Sequence, residues 1–510
     1  MTTAIDELAD RHLRPDPHEA LDPSKARQGS VLIRVAENWA STKAGQHAAW
    51  LLTNLLARQF NVVSSISFDV PPVRLQDGVA AYAARETLLD TLLATVLAIA
   101  GPHISAGTSA HGVAPDFELI VGKCEARERV AKRLFLHGDG WRAFVGTALA
   151  IDADIPASTV PVGPYLAAAF TAAEVFKEFR GAKPGKTSPI DMLFVSAWSR
   201  STASSWSELQ DGPIAPTIHF PHFYFAGGGA VAQAAALTIG SLDNVSGHVT
   251  IVDYDPLGVS NDNRYILTQL SDSGSKPIPM ANFLRSRGFT AFPFDGRWER
   301  YVQRMGRDLQ SAEIDLLERE YRYPLILSCV DVNEPRHAIQ NLIPELLLAG
   351  STWGLTAKAG IFNLATEGAC LKCYNPIRPR NAIIEAKLTE LKRLTGKERA
   401  SEFAGLGIPP DKGEAYLQKA GCGHLSSEDL EKFAAGPPAM SVGFVSVTAG
   451  ILLAVELLRF VLKGRRALTD EENSVIANFY NPKLRSLTSG PDAACNCAVT
   501  RDQWRRKWHH

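Results

Sequence analysis

Cysteine is scarce, with seven in 510 residues, an odd number of which four fall in two close pairs. That excludes a disulfide framework as the basis of the fold and favours metal and catalytic use in a reducing compartment. An excess of charge of either sign is also missing, since 53 Lys and Arg stand against 54 Asp and Glu. Nothing global therefore points to nucleic acid or to an anionic membrane as a partner. The longest apolar runs, near Leu88–Ala100 and Val447–Leu462, fall short of a membrane span, and the second carries Glu456 in its middle. The first residues, MTTAIDELADRHLRPD, are acidic and polar rather than basic and then apolar. No signal peptide or membrane segment is read, and a cytoplasmic protein is expected.

Apolar material is plentiful. At 45% hydrophobic residues the chain can bury several cores, and its length predicts two to four domains at about 150 residues each.

One stretch organises the rest, His222 to Leu267, HFYFAGGGAVAQAAALTIGSLDNVSGHVTIVDYDPLGVSNDNRYIL. Phe223 to Phe225 suit a buried strand. Gly227, Gly228 and Gly229 let the backbone turn sharply and approach a phosphate, and an alanine-rich helix follows with its amide end towards that phosphate. Val249 to Val252 form a second strand, with Asp253 at its carboxyl end where a carboxylate accepts ribose hydroxyls. Ser260 to Arg264, SNDNR, adds what a dinucleotide enzyme does not need: Asn261 and Arg264, three residues apart, suit gripping a triphosphate. Lys276 at a helix start would neutralise the β and γ phosphates. Tyr323 to Val330 read as a strand ending in Asp331, followed by Asn333 and Arg336. Beside a triphosphate Asp331 would hold Mg²⁺, and on its own it would serve as a helix N-cap.

The cysteine pairs are Cys370-Leu-Lys-Cys373 and Cys495-Asn-Cys497. Each supplies half of a tetrahedral thiolate set, so a closed structural Zn²⁺ centre is expected, pinning a crossover segment to the final strand and doing no chemistry. Between them Arg378 to Leu417 is charged and helical in pattern, and Cys422 follows between glycines with His424 nearby. An accessible nucleophile and an inert buried thiol are both open for Cys422, whereas Cys124 and Cys329 fall in apparent buried strands. Arg501 to His510 reads as an exposed basic, aromatic tail.

The first half repeats the layout in degenerate form. Val31 to Val35, a helix through Leu56, Val62 to Phe68 and Asp69 follow the same order, but Arg34, Glu37 and Asn38 occupy the glycine turn. Phe117 to Cys124 stands where Leu325 to Asp331 stands later, and Ala168–Phe179 matches Gly450–Phe460. The boundary is expected in the Ser/Thr/Pro-rich stretch from about Trp198 to Pro221.

Glycine turn, Asp-x-Asp, Ser-Asn-x-x-Arg, Lys, Asp-then-Arg and two cysteine pairs together resemble the ubiquitin-activating superfamily, whose simple bacterial members are ThiF and MoeB. The likeness covers about residues 220 to 500 and, weakly, the first half. Two expected glycines are Ala226 and Val231, and Val231 would narrow the approach of helix to strand more than it blocks phosphate. The resemblance implies an α/β fold of two Rossmann-like ThiF-type adenylation folds in tandem, the first degenerate and the second active, with a zinc-pinned crossover segment. The expected parts are 1–205, a degenerate domain with an N-terminal arm; 206–376, the nucleotide-binding part; 377–435, the crossover with Cys422; and 436–510, the remainder with the second cysteine pair.

It also implies ATP-dependent adenylation of the C-terminal carboxylate of a ubiquitin-like protein ending in Gly. A thioester on Cys422 and transfer to the reactive cysteine of a conjugating enzyme would follow, as in the BilD type of bacterial conjugation operons. Arg264, Lys276, Mg²⁺ on Asp331, and Arg14 from the Arg11-His-Leu-Arg14 arm would meet the phosphate charge, the first half making a pseudo-dimer within one chain, with a further homodimer left open. The alternatives are a sulfur-carrier adenylyltransferase without a thioester, or a nicotinamide oxidoreductase or nucleotide-binding scaffold.

Overall fold

Strands β1 (Gly29–Val35), β2 (Val63–Asp69), β3 (Ser105–Thr108), β4 (Phe117–Val121), β5 (Lys132–Asp139), β6 (Arg142–Gly146), β7 (Met192–Ser196) and β8 (Ser201–Ala203) make one sheet. Strands β9 (Ile218–Ala226), β10 (Val245–Asp253), β11 (Phe289–Asp295), β12 (Leu325–Ser328), β13 (Leu346–Trp353), β14 (Thr356–Phe362), β15 (Ser474–Asn478) and β16 (Lys483–Leu487) make the other. Their orders are the same, β3-β2-β1-β4-β5-β6-β7-β8 and β11-β10-β9-β12-β13-β14-β15-β16. In each, the first five strands pair in parallel and the last three run antiparallel. The internal repeat expected from the sequence is therefore present as a repeated topology. The computed structural model of the chain describes residues 4–108, 114–125, 130, 132–149, 154–309, 323–377, 380–418, 429, 440–463 and 472–508.

Parallel strands are buried on both faces and need helices to cover them. Each half places corresponding helices on its sheet: Lys43–Ala57 and Val162–Phe179 in the first, Ala230–Gly240 and Gly443–Lys463 in the second. Helix Val162–Phe179 packs on Gly443–Lys463, so one apolar core runs through both halves. Phe176 meets Phe444 edge-on at 5.4 Å, and the Tyr165 hydroxyl joins His47 Nδ1 at 3.1 Å to Ser241 Oγ at 3.0 Å. Burial and loss of helix-facing solvent on this scale bind the halves far more firmly than their linker does.

Helix Gly443–Lys463 is longer than the apolar run seen in the sequence, and its 21 residues are enough by length and composition to cross a membrane. It is instead a core helix, 89% of its apolar window being buried. Its Glu456, 1% exposed, sits among the guanidiniums of Arg200 and Arg459.

Residues 375–439 separate from the rest as a second unit. Helices Arg380–Leu391, Gly396–Gly405 and Pro410–Gln418 there enclose a small core of Leu391, Phe403, Leu406 and Ile408. Thr395 and Glu398 cap the second helix reciprocally. The expected tail is corrected: Cys497–Trp508 is a docked helix, with Trp504 Nε1 donating to Pro344 O at 3.0 Å and Trp508 Nε1 to Ile343 O at 2.9 Å. Its basic residues had masked the buried Trp504 and the half-buried Trp508.

Candidate active site

At the carboxyl edge of the second sheet, Ala226 of β9 lies between Val252 of β10 and Ser328 of β12. Strand order reverses here, so a crevice opens outside the strand ends. Gly227 turns the chain out of β9 with φ +99°, and a Cβ there would stand 2.9 Å from the carbonyl carbon and oxygen of Cys329. Both facts require glycine. Gly228 N–H donates to Asp253 Oδ2 at 2.6 Å, while Asp253 Oδ1 accepts Asp255 N–H at 2.9 Å. Helix Ala230–Gly240 then begins without a side-chain cap, leaving amides at its start facing the crevice.

Val231 is accommodated where the pattern has glycine. A Cβ on Gly350 of β13 would overlap Val231 Cγ1, and one on Gly450 would overlap Val231 O and stand 2.5 Å from Ala234 Cβ. The close approach lost at one position is thus restored by two glycines elsewhere, neither of which sequence spacing marks.

The cations gather on one side of the turn. Lys276 caps helix Pro277–Ser286, and its Nζ donates to Asp255 Oδ2 at 2.8 Å. Burial pulls the Lys276 pKa down, but Tyr265, Asp255 and Asp253 outweigh it and the net shift is upward. Arg264 Nη1 donates to Ser260 O at 2.6 Å and to Asn263 Oδ1 at 2.9 Å, and the guanidinium lies over the Tyr265 ring. Burial brings its pKa down to about 10, with Arg11 and Arg14 adding to the fall and Tyr265 and Asp331 opposing it.

Arg11 lies on helix Ala4–Leu13 and Arg14 directly follows it; the helix packs on the Val259–Asn261 turn, and its Arg11 carbonyl accepts Ser441 N–H at 3.0 Å. The arm that precedes the first sheet thus reaches the site of the second. Arg14 is paired with Asp10, yet its Nη1 is buried without a hydrogen-bond partner.

Of the residues singled out from the sequence, Gly227, Gly228, Gly229, Asp253, Arg264, Lys276 and Arg14 surround this crevice. Asp331 is exposed just past β12, and its electrostatic reach extends to Arg264 and Arg336. It is not the cap of helix Asn333–Asn341, a place taken by Val332. The Asn261 side chain is turned within its own loop, Oδ1 accepting Gly258 N–H at 3.1 Å. Cys422 and His424 lie outside the described residues. Cys124 and Cys329 stand just beyond their strands rather than within them, each half-buried, and burial pushes both thiols up. Asp255 and Tyr265 were passed over in sequence as individual ligands, although both belong to the quoted stretch.

The equivalent crevice of the first half is filled from within. Arg34 Nε donates to Asp69 Oδ2 at 2.9 Å and Nη1 to Glu118 Oε1 at 3.0 Å. Glu118 is fully buried and also takes Arg133 Nε at 2.6 Å. The Trp39 ring lies where a Cβ on Gly122 would be, its Nε1 donating to His137 Nδ1 at 3.0 Å.

The sulfurs of Cys370, Cys373, Cys495 and Cys497 all lie within 4.8 Å of one another. Sulfur separations of 3.6, 3.6, 3.4 and 3.1 Å compare with about 3.8 Å expected around a tetrahedral ion with ~2.3 Å bonds. Asp492 N–H donates to Cys373 Sγ at 3.3 Å, an outer contact of the kind that steadies a thiolate. The donor set fits a zinc ion. The expected pinning of the final strand is corrected: the second pair begins the last helix, so the cluster joins the short helix Leu371–Tyr374 to that helix.

No protein-family model matches the chain. It is 23% identical over 459 residues to the uncharacterized protein y4jF of Sinorhizobium fredii, across 84% of this chain and 81% of that one. Among solved structures it is similar to Escherichia coli MccB with MccA-N7isoASN, at TM-score 0.35 and 13% identity over 54% of this chain and 66% of that one. MccB with ATP gives TM-score 0.32 and 14% identity over 54% and 65%. This chain therefore spans just under two thirds of the length of MccB.

Proposed function

We propose that the protein activates a carboxylate with ATP by adenylation at the crevice of the second sheet. The observation that carries this reading is the gathering of Arg264, Arg11 and Arg14 beside a glycine turn, which favours an anion of high charge. A carboxylate oxygen of the substrate attacks the α-phosphorus, the bond to the β-phosphate oxygen breaks, and pyrophosphate leaves with its electron pair. The product is an acyl-adenylate. No protein base is needed, and the work of the residues is to hold charge in place.

Asp253 retains lone pairs for the ribose hydroxyls beside its two amide bonds. Lys276 exchanges Asp255 for phosphate, and Arg264 and Arg14 turn their donors to the phosphate oxygens. Asn261 releases Gly258 to reach them. Bound at Asp331, Mg²⁺ would neutralise phosphate charge; an exposed carboxylate at a strand end suits that ion. The four cysteines hold zinc as a structural tie.

The substrate in this reading is the C-terminus of a ubiquitin-like protein, and Cys422 takes the acyl group as a thioester, AMP leaving, before transfer to a conjugating enzyme. Exchange of labelled pyrophosphate into ATP, with and without a candidate ubiquitin-like protein, tests the first step. A thiol-sensitive adduct lost in Cys422→Ala tests the second. Exchange without an adduct favours a sulfur-carrier activator, and no exchange with several partners refutes adenylation.

A further inference from the structure

The crevice just described is closed on one side by a loop, Gly258 to Thr268, and that loop is held from the other half of the molecule. We propose that Arg58, on the half with the filled crevice, is a positioning residue for Arg264. The proposal rests on the reading that MgATP binds beside Arg264.

Arg58 follows directly on helix Lys43–Ala57, and it is 1% exposed. Nε donates to Asn54 Oδ1 at 2.8 Å, which orients the guanidinium from its own helix. Nη2 donates to the Tyr82 hydroxyl at 2.9 Å and to Thr268 O at 2.6 Å, and Nη1 donates to Asp262 O. Asp262 and Thr268 bracket Arg264. One rigid fork from the first half therefore holds both ends of the segment that carries the phosphate-facing arginine of the second.

Within the segment, Arg264 N–H and Tyr265 N–H both donate to Asn261 O at 3.0 Å. On its far side Gln233 Oε1 accepts Leu267 N–H at 3.1 Å, tying the loop to the helix that leaves the glycine turn. The loop is thus clamped between Gln233 of its own half and Arg58 of the other.

The choice of residue points to geometry rather than packing. Burying a guanidinium is costly, and an apolar side chain of similar volume fills a core at less cost. The donors of Arg58 are spent on two carbonyls, an amide oxygen and a phenol rather than on a carboxylate. A planar set of donors in fixed directions holds two carbonyls at a set spacing, which a lysine cannot do. The platform is stiff, since 14 of the 15 residues of helix Lys43–Ala57 are buried. The first half acts on the site through this contact as well as through its N-terminal arm.

The test uses the full chain and calorimetric titration with MgATP. Arg58→Lys is expected to weaken binding about tenfold. Arg264→Met weakens it by itself, and the double variant binds no more weakly than Arg264→Met alone, because Arg58 acts through Arg264. Tyr82→Phe removes only the hydroxyl that steadies Nη2 and gives a smaller loss in the same direction, which keeps the idea exposed to failure if Arg58→Lys does not fold. Losses that add in the double variant, or Tyr82→Phe and a folded Arg58→Lys binding MgATP like the wild type, overturn the positioning role. A wild-type chain that does not bind MgATP overturns the functional reading itself, and this inference falls with it.

Discussion

Gly450→Ala tests whether the spacing between two core helices sets the glycine turn. The new methyl would stand 2.5 Å from Ala234 Cβ and 2.8 Å from Ala235 N, and closer still to Val231 O. Two of these neighbours are backbone, so no rotamer change relieves the contact, and helix Ala230–Gly240 or helix Gly443–Lys463 must move by about 1 Å. Overpacking of this kind costs about 1–3 kcal/mol. Opposing it, alanine is favoured over glycine inside a helix by about 1 kcal/mol, so the two effects have opposite signs and the outcome discriminates. The contact is expected to win, because Val231 of helix Ala230–Gly240 is also packed closely against Gly350 of β13. The urea midpoint should fall, and MgATP affinity should fall with it, since Gly229 is the N-cap of the displaced helix. A variant as stable as the wild type, with unchanged affinity, would refute the idea that Gly350 and Gly450 compensate for Val231.

Other outcomes follow from the same geometry. Arg264→Met should lower the pyrophosphate exchange rate by about 10²–10³, the loss typical of one charge-stabilising donor, with little change in melting temperature; an unchanged rate removes Arg264 from the site. The purified chain should carry about one zinc by elemental analysis, and Cys370→Ser should lose it and melt lower; zinc retained at full stoichiometry would contradict a closed cluster of four cysteines. His12, buried with Nε2 against Phe60 O at 2.5 Å, has its pKa brought from 6.5 down to about 4 by burial, with Arg180 and Arg264 contributing. The unfolded chain then binds the extra proton first, so stability is complete above pH 6.5 and is lost as pH falls towards 4, by roughly 3 kcal/mol at most. His12→Gln should flatten that acid limb of the urea midpoint, and an unaltered limb would assign it to other groups.

Much of the fold was legible because its signals are local. A glycine run between an aromatic strand and an alanine-rich helix dictates a turn, and strand-helix-strand order gave the repeat despite the loss of its glycines. The cysteine pairs were legible for the same reason, since two thiols three residues apart already half-define a centre. The missing parts are set by distant contacts. Nothing near Gly350 or Gly450 says that Val231 lies against them, and nothing near Arg58 says that its carbonyl partners are some 200 residues away. The last helix was hidden by composition, because RDQWRRKW looks solvated until Trp504 and Trp508 find carbonyls across the fold. Asn261 shows the opposite limit: its spacing suits a phosphate ligand, but its side chain bonds to its own loop.

The two halves differ less in shape than in where their carboxylates go. In the first, Arg34 meets two carboxylates, Asp69 and Glu118, and the second of these is shared with Arg133. Charge is balanced inside the crevice, and an incoming phosphate would have to break the pair between Arg34 and the fully buried Glu118, leaving that carboxylate uncompensated. In the second half, both oxygens of Asp253 face backbone amides and Asp255 takes Lys276. The Arg264 bonds go to a carbonyl and an amide oxygen, while Arg11 and Arg14 press on it electrostatically. A repeated topology has thus been divided by one exchange: a side chain placed on β1 closes one crevice, and bare glycine leaves the other open, with Arg264 bonded to neutral oxygens. On the proposed reading that difference, rather than the glycine turn alone, favours a polyphosphate over a dinucleotide.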